Sequence, residues 1–188
     1  DNVLEVLFRM AVTAAKKVKT QVSFSRANSS VIHQAIERLE NQGFSIQGKT
    51  CMVIGNGEMG KVTALALKEA GADVTVTVRQ YRSGIVTIPQ GCDRINYGER
   101  LEFLPKCDLA VSATASPNYT LTMEQIENAE IPGHIVLIDL AVPRDIEPSA
   151  GTLSNVTLYD IDSFKIDAVF PFLLPVLQKL QWLLKDQP

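Results

Sequence analysis

Short apolar runs alternate with helix-period segments along the chain from residue 49 onward. Apolar residues recur every three or four positions in 61–70 and 121–129, as on one face of a helix, and Thr122 can cap the second of these segments. Around them lie short runs typical of buried strands: Thr50–Ile54, Asp73–Val78, 108–112, 134–140 and 156–159. Because strands that alternate with helices form parallel sheets, the pattern predicts an α/β fold with a doubly wound, mostly parallel sheet.

Helical spacing also marks both ends of the chain. Residues 3–19 carry apolar side chains on one face, and a second helix follows, which Ser29 or Ser30 can cap and which Gly43 ends. At the other end, leucines recur at helical spacing within 163–188. This amphipathic helix packs either on its own domain or against a second subunit, which would make the protein a homodimer.

One segment departs from the alternation. A crossover helix is expected after the second apolar run, but residues 83–91 and 94–98 are rich in glycine, proline and β-branched residues. That composition favours extended chain or a hairpin over a helix. The sequence leaves the role of this 83–98 insert open.

Composition narrows the class of protein. The chain has 188 residues, of which 46% are hydrophobic and 21% charged, and no apolar stretch is long enough to span a membrane. We therefore expect a soluble, cytoplasmic protein. The net charge of −3 argues against a general nucleic-acid-binding protein. The chain begins without a methionine or a signal peptide, so we interpret it as a domain excised from a longer protein.

The cysteines predict neither a disulfide nor a metal site. Cys51, Cys92 and Cys107 are an odd number and lack the spacing of metal ligands. Cys51 lies in a predicted strand and is interpreted as a buried apolar residue, whereas Cys92 and Cys107 lie in loops as candidate free thiols.

Directly after the first apolar run stands Gly55-Asn56-Gly57-Glu58-Met59-Gly60. In a strand–turn–helix context the first glycine permits the tight turn, the second lets backbone amides approach a pyrophosphate, and the third allows close helix packing. A glycine turn without a ligand is the competing interpretation. The motif makes the predicted sheet Rossmann-like and divides the chain into a helical linker region (1–47), a dinucleotide-binding domain (48–162) and a C-terminal amphipathic helix (163–188).

The end of the second strand indicates the cofactor. NAD-binding domains place an acidic residue there for the ribose hydroxyls, but this chain has Arg79 and Arg82. Two arginines can accommodate a 2′-phosphate, so NADP (NADPH) is favoured over NAD. The alternative is that both arginines only face solvent.

Two further strand ends should face the same crevice. Ser112, Ala113 and Thr114 begin a run of small residues that can let a dinucleotide lie close and bond its ribose, unless the run is a plain loop. After the next strand, Arg144 and Asp145 either pair with each other or face a substrate.

No catalytic residue stands out. His33 is interpreted as a surface histidine, with an acid–base role as the alternative, and His134 as a structural residue at a strand start. The sequence contains no Ser/His/Asp triad, carboxylate pair or metal-ligand cluster, so the catalytic residues stay unassigned.

In these motifs the chain resembles the NADP-binding domain of glutamyl-tRNA reductase, the first enzyme of the five-carbon route to tetrapyrroles. The resemblance is carried by the glycine turn 55–60, the strand end 112–117 and, most specifically, the stretches 138–148 and 155–162. It implies an NADP-dependent oxidoreductase domain of heme or siroheme biosynthesis, which delivers hydride for the reduction of glutamyl-tRNA to glutamate-1-semialdehyde.

Three departures limit what the resemblance implies. The family's catalytic-cysteine domain, which is its link to glutamyl-tRNA, has no counterpart here; the family's Asn-Arg-Thr after the second strand is replaced around Arg79; and the dimerisation region is reduced to about 163–188. Two alternatives therefore stay open. One is a stand-alone tetrapyrrole-pathway dehydrogenase resembling precorrin-2 dehydrogenase, and the other is a non-catalytic nucleotide-binding module.

Overall fold

A computed structural model of the chain describes residues 24–79 and 87–164, and of residues 24–30 it describes the backbone alone. The predicted helix over 3–19, Arg82 and nearly all of the predicted C-terminal helix lie outside the described residues.

Six parallel strands form one sheet in the order β3-β2-β1-β4-β5-β6. The strands are β1 (Thr50–Ile54), β2 (Asp73–Val78), β3 (Asp93–Asn96), β4 (Leu109–Ser112), β5 (Ile135–Asp139) and β6 (Val156–Asp160). The predicted Rossmann-like fold is confirmed, and the five apolar runs match strands to within one residue at each end. Strand order reverses at β1, which pairs with both β2 and β4, and such a reversal opens a crevice at the carboxyl ends of the strands.

Helices cover both faces of the sheet. They are α1 (Phe24–Asn41), α2 (Glu58–Glu69), α3 (Arg100–Phe103) and α4 (Met123–Asn128). Alternate residues of β1 point to opposite faces: Cys51 and Val53 pack in the cluster that includes α1 and α2, whereas Met52 and Ile54 pack in the cluster that includes α4. Both faces are buried, which explains why the strand reads as a continuous apolar run.

Two of the three helix ends predicted from capping residues are confirmed, and one is wrong. Thr122 caps α4 as predicted, because its hydroxyl accepts from the backbone N–H of Gln125 at 3.2 Å. Gly43 ends α1 with a φ of 87°, also as predicted. The predicted cap at Ser29 or Ser30 is wrong, since α1 is already helical at Phe24 and both serines lie in its interior. Serine is tolerated inside a helix, so a serine pair alone does not mark a start.

Where a crossover helix would normally follow β2, the described part of the insert contains the strand β3 instead. This strand pairs in parallel with β2, with Thr75 opposite Asp93. Extended chain is therefore confirmed for residues 93–96, and among the described residues β3 pairs only with β2; the first residues of the insert, 83–86, lie outside them.

Candidate functional site

A cleft of about 520 Å³ opens at the carboxyl ends of the central strands, where strand order reverses. Its size is that of a small-molecule site. The lining residues come from the glycine turn, the end of β2, the insert and the loop after β4: Gly55, Asn56, Gly57, Lys61, Thr77, Val78, Arg79, Thr87, Tyr97, Ala113, Thr114, Ala115, Ser116 and Pro117.

The glycine turn is tight in the way the motif requires. Gly55 has a φ of 112°, and a Cβ there would lie 2.7 Å from the carbonyl oxygen of Ala113. A Cβ on Gly60 would lie 2.0 Å from the carbonyl oxygen of Gly55, so only glycine lets α2 pack onto the turn. A Cβ on Gly57, in contrast, would meet no atom within 4 Å, which leaves the backbone open on the cleft side.

Helix α2 begins at this turn without a side-chain cap. Gly57 is its N-cap residue and offers no side chain to accept from the first-turn amides. Uncapped amides at a helix N-terminus attract anions, and Lys61 adds a positive charge to the same wall of the cleft. Three of the motif's residues stand back from the cleft: Glu58 is exposed, Met59 packs against the core, and Gly60 is buried beneath the turn.

Thr87, in the described part of the insert, borders the cleft beside the glycine turn. Asn56 Nδ2 donates to the carbonyl oxygen of Thr87 at 3.2 Å. Within the described residues, the buried Oδ1 of Asn56 accepts no hydrogen bond. A buried acceptor without a donor is costly, and a hydroxyl or amide of a ligand in the cleft would satisfy it.

Two arginines meet at one aromatic ring on the rim of the cleft. The guanidinium carbon of Arg79 lies 4.5 Å from the centroid of Tyr97, and that of Arg100 lies 4.1 Å from it. Neither arginine forms an ion pair within the part of the chain that the structure describes. The rim therefore carries two positive charges that no ion pair within the described residues neutralises.

A buried hydrogen-bond network holds the loop after β4. Asp145 is fully buried and accepts from the hydroxyl of Ser112 at 2.8 Å, and from the backbone N–H and hydroxyl of Thr114 at 2.8 and 2.7 Å. The hydroxyls of Ser112 and Thr120 lie 2.9 Å apart. Thr114 lines the cleft, whereas Ser112 lies below it with its hydroxyl engaged in this network.

Asp139 holds the loop after β5 in place through hydrogen bonds from the loop's backbone. Its carboxylate accepts from the backbone N–H groups of Ala141, Asp145 and Ile146 at 3.0, 2.8 and 2.8 Å. Burial raises the pKa of this carboxyl above its usual value, and the nearby Asp145 raises it further, while the three N–H donors act in the opposite direction.

The predicted alternatives for Arg144 and Asp145 were both wrong for Asp145. Arg144 pairs with Asp160 on the surface, and Asp145 turns inward to the Ser112 and Thr114 network. His33 is exposed, and His134 lies just before β5 with its Nε2 at 2.9 Å from the hydroxyl of Thr157.

All three cysteines are free thiols. Cys51 and Cys107 are buried, and burial raises the pKa of each to about 12, so both stay protonated at neutral pH. Cys107 is thus buried although it was predicted in a loop. Among the described residues no group of His, Cys, Asp and Glu side chains is placed to hold a metal ion, and no helix is long and apolar enough to cross a membrane.

The structure therefore brings six of the predicted site residues together in the cleft and adds others that sequence reasoning missed. The six are Gly55, Asn56, Gly57, Arg79, Ala113 and Thr114. Lys61 had a local signal, since it stands in the first turns of the helix after the glycines. Thr77 and Tyr97 had none, because only the parallel pairing of β2 with its neighbours brings them to the crevice. Thr87 had none either, since its place there depends on the hydrogen bond from Asn56.

Comparison with known proteins gives the same picture. The family model described as Shikimate / quinate 5-dehydrogenase matches residues 37–166. The glutamyl-tRNA reductase of Acetivibrio thermocellus is 45% identical over 163 residues, which cover 87% of this chain and 48% of that protein. The probable multifunctional siroheme biosynthesis protein HemA of Ruminiclostridium josui is 43% identical over 167 residues, covering 89% of this chain and 32% of that protein.

A solved structure agrees with these relatives. The glutamyl-tRNA reductase from Methanopyrus kandleri superposes with a TM-score of 0.63 at 30% identity, over 86% of this chain and 42% of that chain. The resemblance predicted from the sequence is thus confirmed. The chain spans less than half the length of each of these three proteins.

Proposed function

This chain belongs to the shikimate/quinate 5-dehydrogenase family, and we propose that it is the NADP-binding part of a glutamyl-tRNA reductase that acts in tetrapyrrole biosynthesis. The observation that carries the proposal is the position of Arg79. Its unpaired guanidinium lies at the end of β2, on the same cleft as the glycine turn. In Rossmann-type domains this is where the ribose 2′ substituent of a dinucleotide is recognised.

The residues of the cleft fit the parts of NADPH. The open backbone at Gly57 and the uncapped amides of α2 suit the pyrophosphate, with Lys61 supplying positive charge nearby. Arg79 suits the 2′-phosphate, because a guanidinium binds phosphate through paired N–H donors. Arg82 is proposed for the same phosphate from the sequence alone. The small residues 113–117 suit the half of the cofactor that lies across the crevice.

Residues Ser112 and Asp145 serve this site from below. They hold the backbone and the hydroxyl of Thr114 in place, so the wall formed by 113–117 is set before a ligand enters. A wall fixed in advance reduces the ordering cost of binding.

For the whole protein we propose the family's reaction. NADPH held in this cleft would supply the hydride for reduction of a glutamyl thioester, in which the C–S bond is exchanged for a C–H bond to give a thiolate and glutamate-1-semialdehyde. The thioester and the contact with glutamyl-tRNA are assigned to the part of the relatives that this chain does not span. A homodimer through residues 163–188 and a cytoplasmic location belong to the same proposal.

Calorimetric titration of the full chain with NADPH and with NADH tests the cofactor assignment. Loss of one charge-assisted contact costs roughly 1.5–3 kcal/mol, so Arg79→Ala should weaken NADPH binding about 10- to 100-fold and leave NADH within about 2-fold. Arg94→Ala removes the same charge from an exposed position on β3 outside the cleft, and should change neither affinity.

Equal losses for both cofactors in Arg79→Ala would refute the role of Arg79. Failure of the unaltered chain to bind either cofactor at millimolar concentration would refute the dinucleotide site itself.

A further inference from the structure

The two arginines on the cleft rim are held in different ways. Arg100 is anchored by the backbone: its Nε donates to the carbonyl oxygen of Thr120 at 2.8 Å, and its Nη1 donates to that of Tyr97 at 3.1 Å. Arg79 donates no hydrogen bond within the described residues, and its guanidinium lies against the ring of Tyr97. One cation is therefore fixed and the other has its N–H donors available.

The ring of Tyr97 connects these two cations. It is half-buried, lines the cleft, and has both guanidinium groups within 4.5 Å of its centroid. A cation over an aromatic face is attracted by the ring quadrupole. Because an arginine side chain carries about 2 kcal/mol of rotamer entropy, a face that holds it in one orientation lowers the cost of its later contacts.

The positive charge around Tyr97 also favours the binding of an anion there. Arg79 and Arg100 approach the same ring, and neither is paired with a carboxylate in the described part of the chain. Two like charges at one ring repel each other, and a phosphate placed at the free donors of Arg79 would relieve that repulsion.

We propose that Tyr97 is a specificity-determining positioning residue, which presents the guanidinium of Arg79 to the 2′-phosphate of NADPH. This inference rests on the proposed function and extends it to a residue of the insert. Tyr97 acts through Arg79, so it should raise the affinity for NADPH and have little effect on NADH, which lacks the 2′-phosphate.

Titration of the full chain with both cofactors separates this role from others. Tyr97→Leu removes the ring face and should weaken NADPH binding about 5- to 10-fold, the loss of one cation–π contact, with NADH within about 2-fold. Tyr97→Phe keeps the face and should bind both cofactors within about 2-fold of the unaltered chain. In an Arg79→Ala background, Tyr97→Leu should have no further effect on NADPH, since the contact is already gone.

The outcomes that overturn the proposal are distinct from those that overturn the cofactor assignment. If Tyr97→Leu weakens NADPH and NADH equally, the ring contacts the shared part of the cofactor and does not position Arg79. If Arg79→Ala abolishes the preference for NADPH but Tyr97→Leu leaves it intact, only the role of Tyr97 fails. If the unaltered chain shows no preference, both proposals fail.

The role of Tyr97 can be tested even if Tyr97→Leu destabilises the fold. Should Tyr97→Leu lower the thermal midpoint by more than a few degrees, Tyr97→Met replaces it in the same titration, because methionine fills the space flexibly without offering a ring face. Retained NADH affinity reports in either variant that the cleft is folded.

Discussion

Two regions border the cleft: one is buried and held by hydrogen bonds, and the other is exposed and held by a ring contact. We call the loops after β4 and β5 with Ser112, Asp139 and Asp145 the frame, and Arg79 with Tyr97 the rim. In the frame, Asp139 is 2% exposed and Asp145 is not exposed, and their carboxylates accept backbone and hydroxyl hydrogen bonds at 2.7–3.0 Å. In the rim, Arg79 is exposed and is held by a ring contact.

The difference assigns each region a task. Buried polar groups must be satisfied internally, so the frame has one arrangement and determines the shape of the cleft. An exposed guanidinium with free donors contributes little to folding and is available to a ligand. Changes in the frame should therefore reduce stability, and changes in the rim should alter the choice of cofactor. A frame variant that changed only the choice of cofactor, or a rim variant that changed mainly stability, would contradict this assignment.

The largest loss of stability is expected at Gly60, where helix α2 packs directly on the backbone of the glycine turn. Gly60→Ala places a Cβ within 2.0 Å of the carbonyl oxygen of Gly55, so α2 and the turn must separate. We expect a loss of about 3 kcal/mol in the free energy of unfolding. Urea denaturation measures it.

Gly57→Ala is the matched control, three residues away in the same motif. Its Cβ meets no atom within 4 Å and its φ of −76° suits any residue, so stability should fall by no more than about 1 kcal/mol, the cost of alanine in place of glycine at an N-cap. Under the proposed function its methyl group nevertheless lies on the pyrophosphate side, and NADPH and NADH should weaken together. A Gly57→Ala protein as unstable as Gly60→Ala would contradict the geometry of the turn.

The frame should show the next largest effect. Asp145→Ala leaves the hydroxyl of Ser112 and the N–H and hydroxyl of Thr114 without their acceptor in a buried site. We expect a loss of about 2 kcal/mol in the free energy of unfolding. Arg79→Ala, the same kind of truncation in the rim, should stay within about 0.5 kcal/mol. Equal losses in the two variants would remove the distinction between frame and rim.

A smaller, pH-dependent contribution to stability is expected from Asp160 at the surface. Asp160 accepts from the hydroxyl of Ser163 at 2.7 Å and pairs with Arg144, and the pKa of Asp160 falls below its usual value of 3.8, chiefly through the serine. A carboxyl whose pKa is lower in the folded state stabilises the fold above its unfolded pKa and loses that contribution as pH falls through the folded pKa.

Asp160→Asn should therefore lower the unfolding free energy by less than about 1 kcal/mol at pH 7, and the difference should shrink below about pH 4. Urea denaturation at pH 7, 5 and 3 measures it. A difference that grew on acidification would mean that Asp160 is stabilised in its protonated form.

The fold could be predicted from the sequence because its signals are local. The strand β1 is buried on both faces and so reads as an apolar run, and the α4 cap at Thr122 depends on a partner three residues away. The glycine turn was also predictable, since the positive φ of Gly55 and the close contact of Gly60 with the carbonyl oxygen of Gly55 are both requirements within the motif.

The rest of the site depends on contacts that no local pattern carries. Asp145 reaches Ser112 across 33 residues, and Tyr97 reaches Arg79 only because β3 lies parallel to β2. For this reason both alternatives for Asp145, pairing with Arg144 or facing a substrate, were wrong, and the aromatic member of the rim was missed. Local composition placed the charges near the right strand ends but not their partners.

The most direct test of the central claim, that the frame shapes a cleft in which the rim selects NADP, is a crystal structure of the full chain with NADP⁺. The account predicts the pyrophosphate at the backbone amides of the 55–60 turn and the 2′-phosphate within hydrogen-bonding distance of Arg79, with Asp145 still bonded to Ser112 and Thr114. A 2′-phosphate bound away from Arg79, or a cofactor bound outside the cleft, would contradict it.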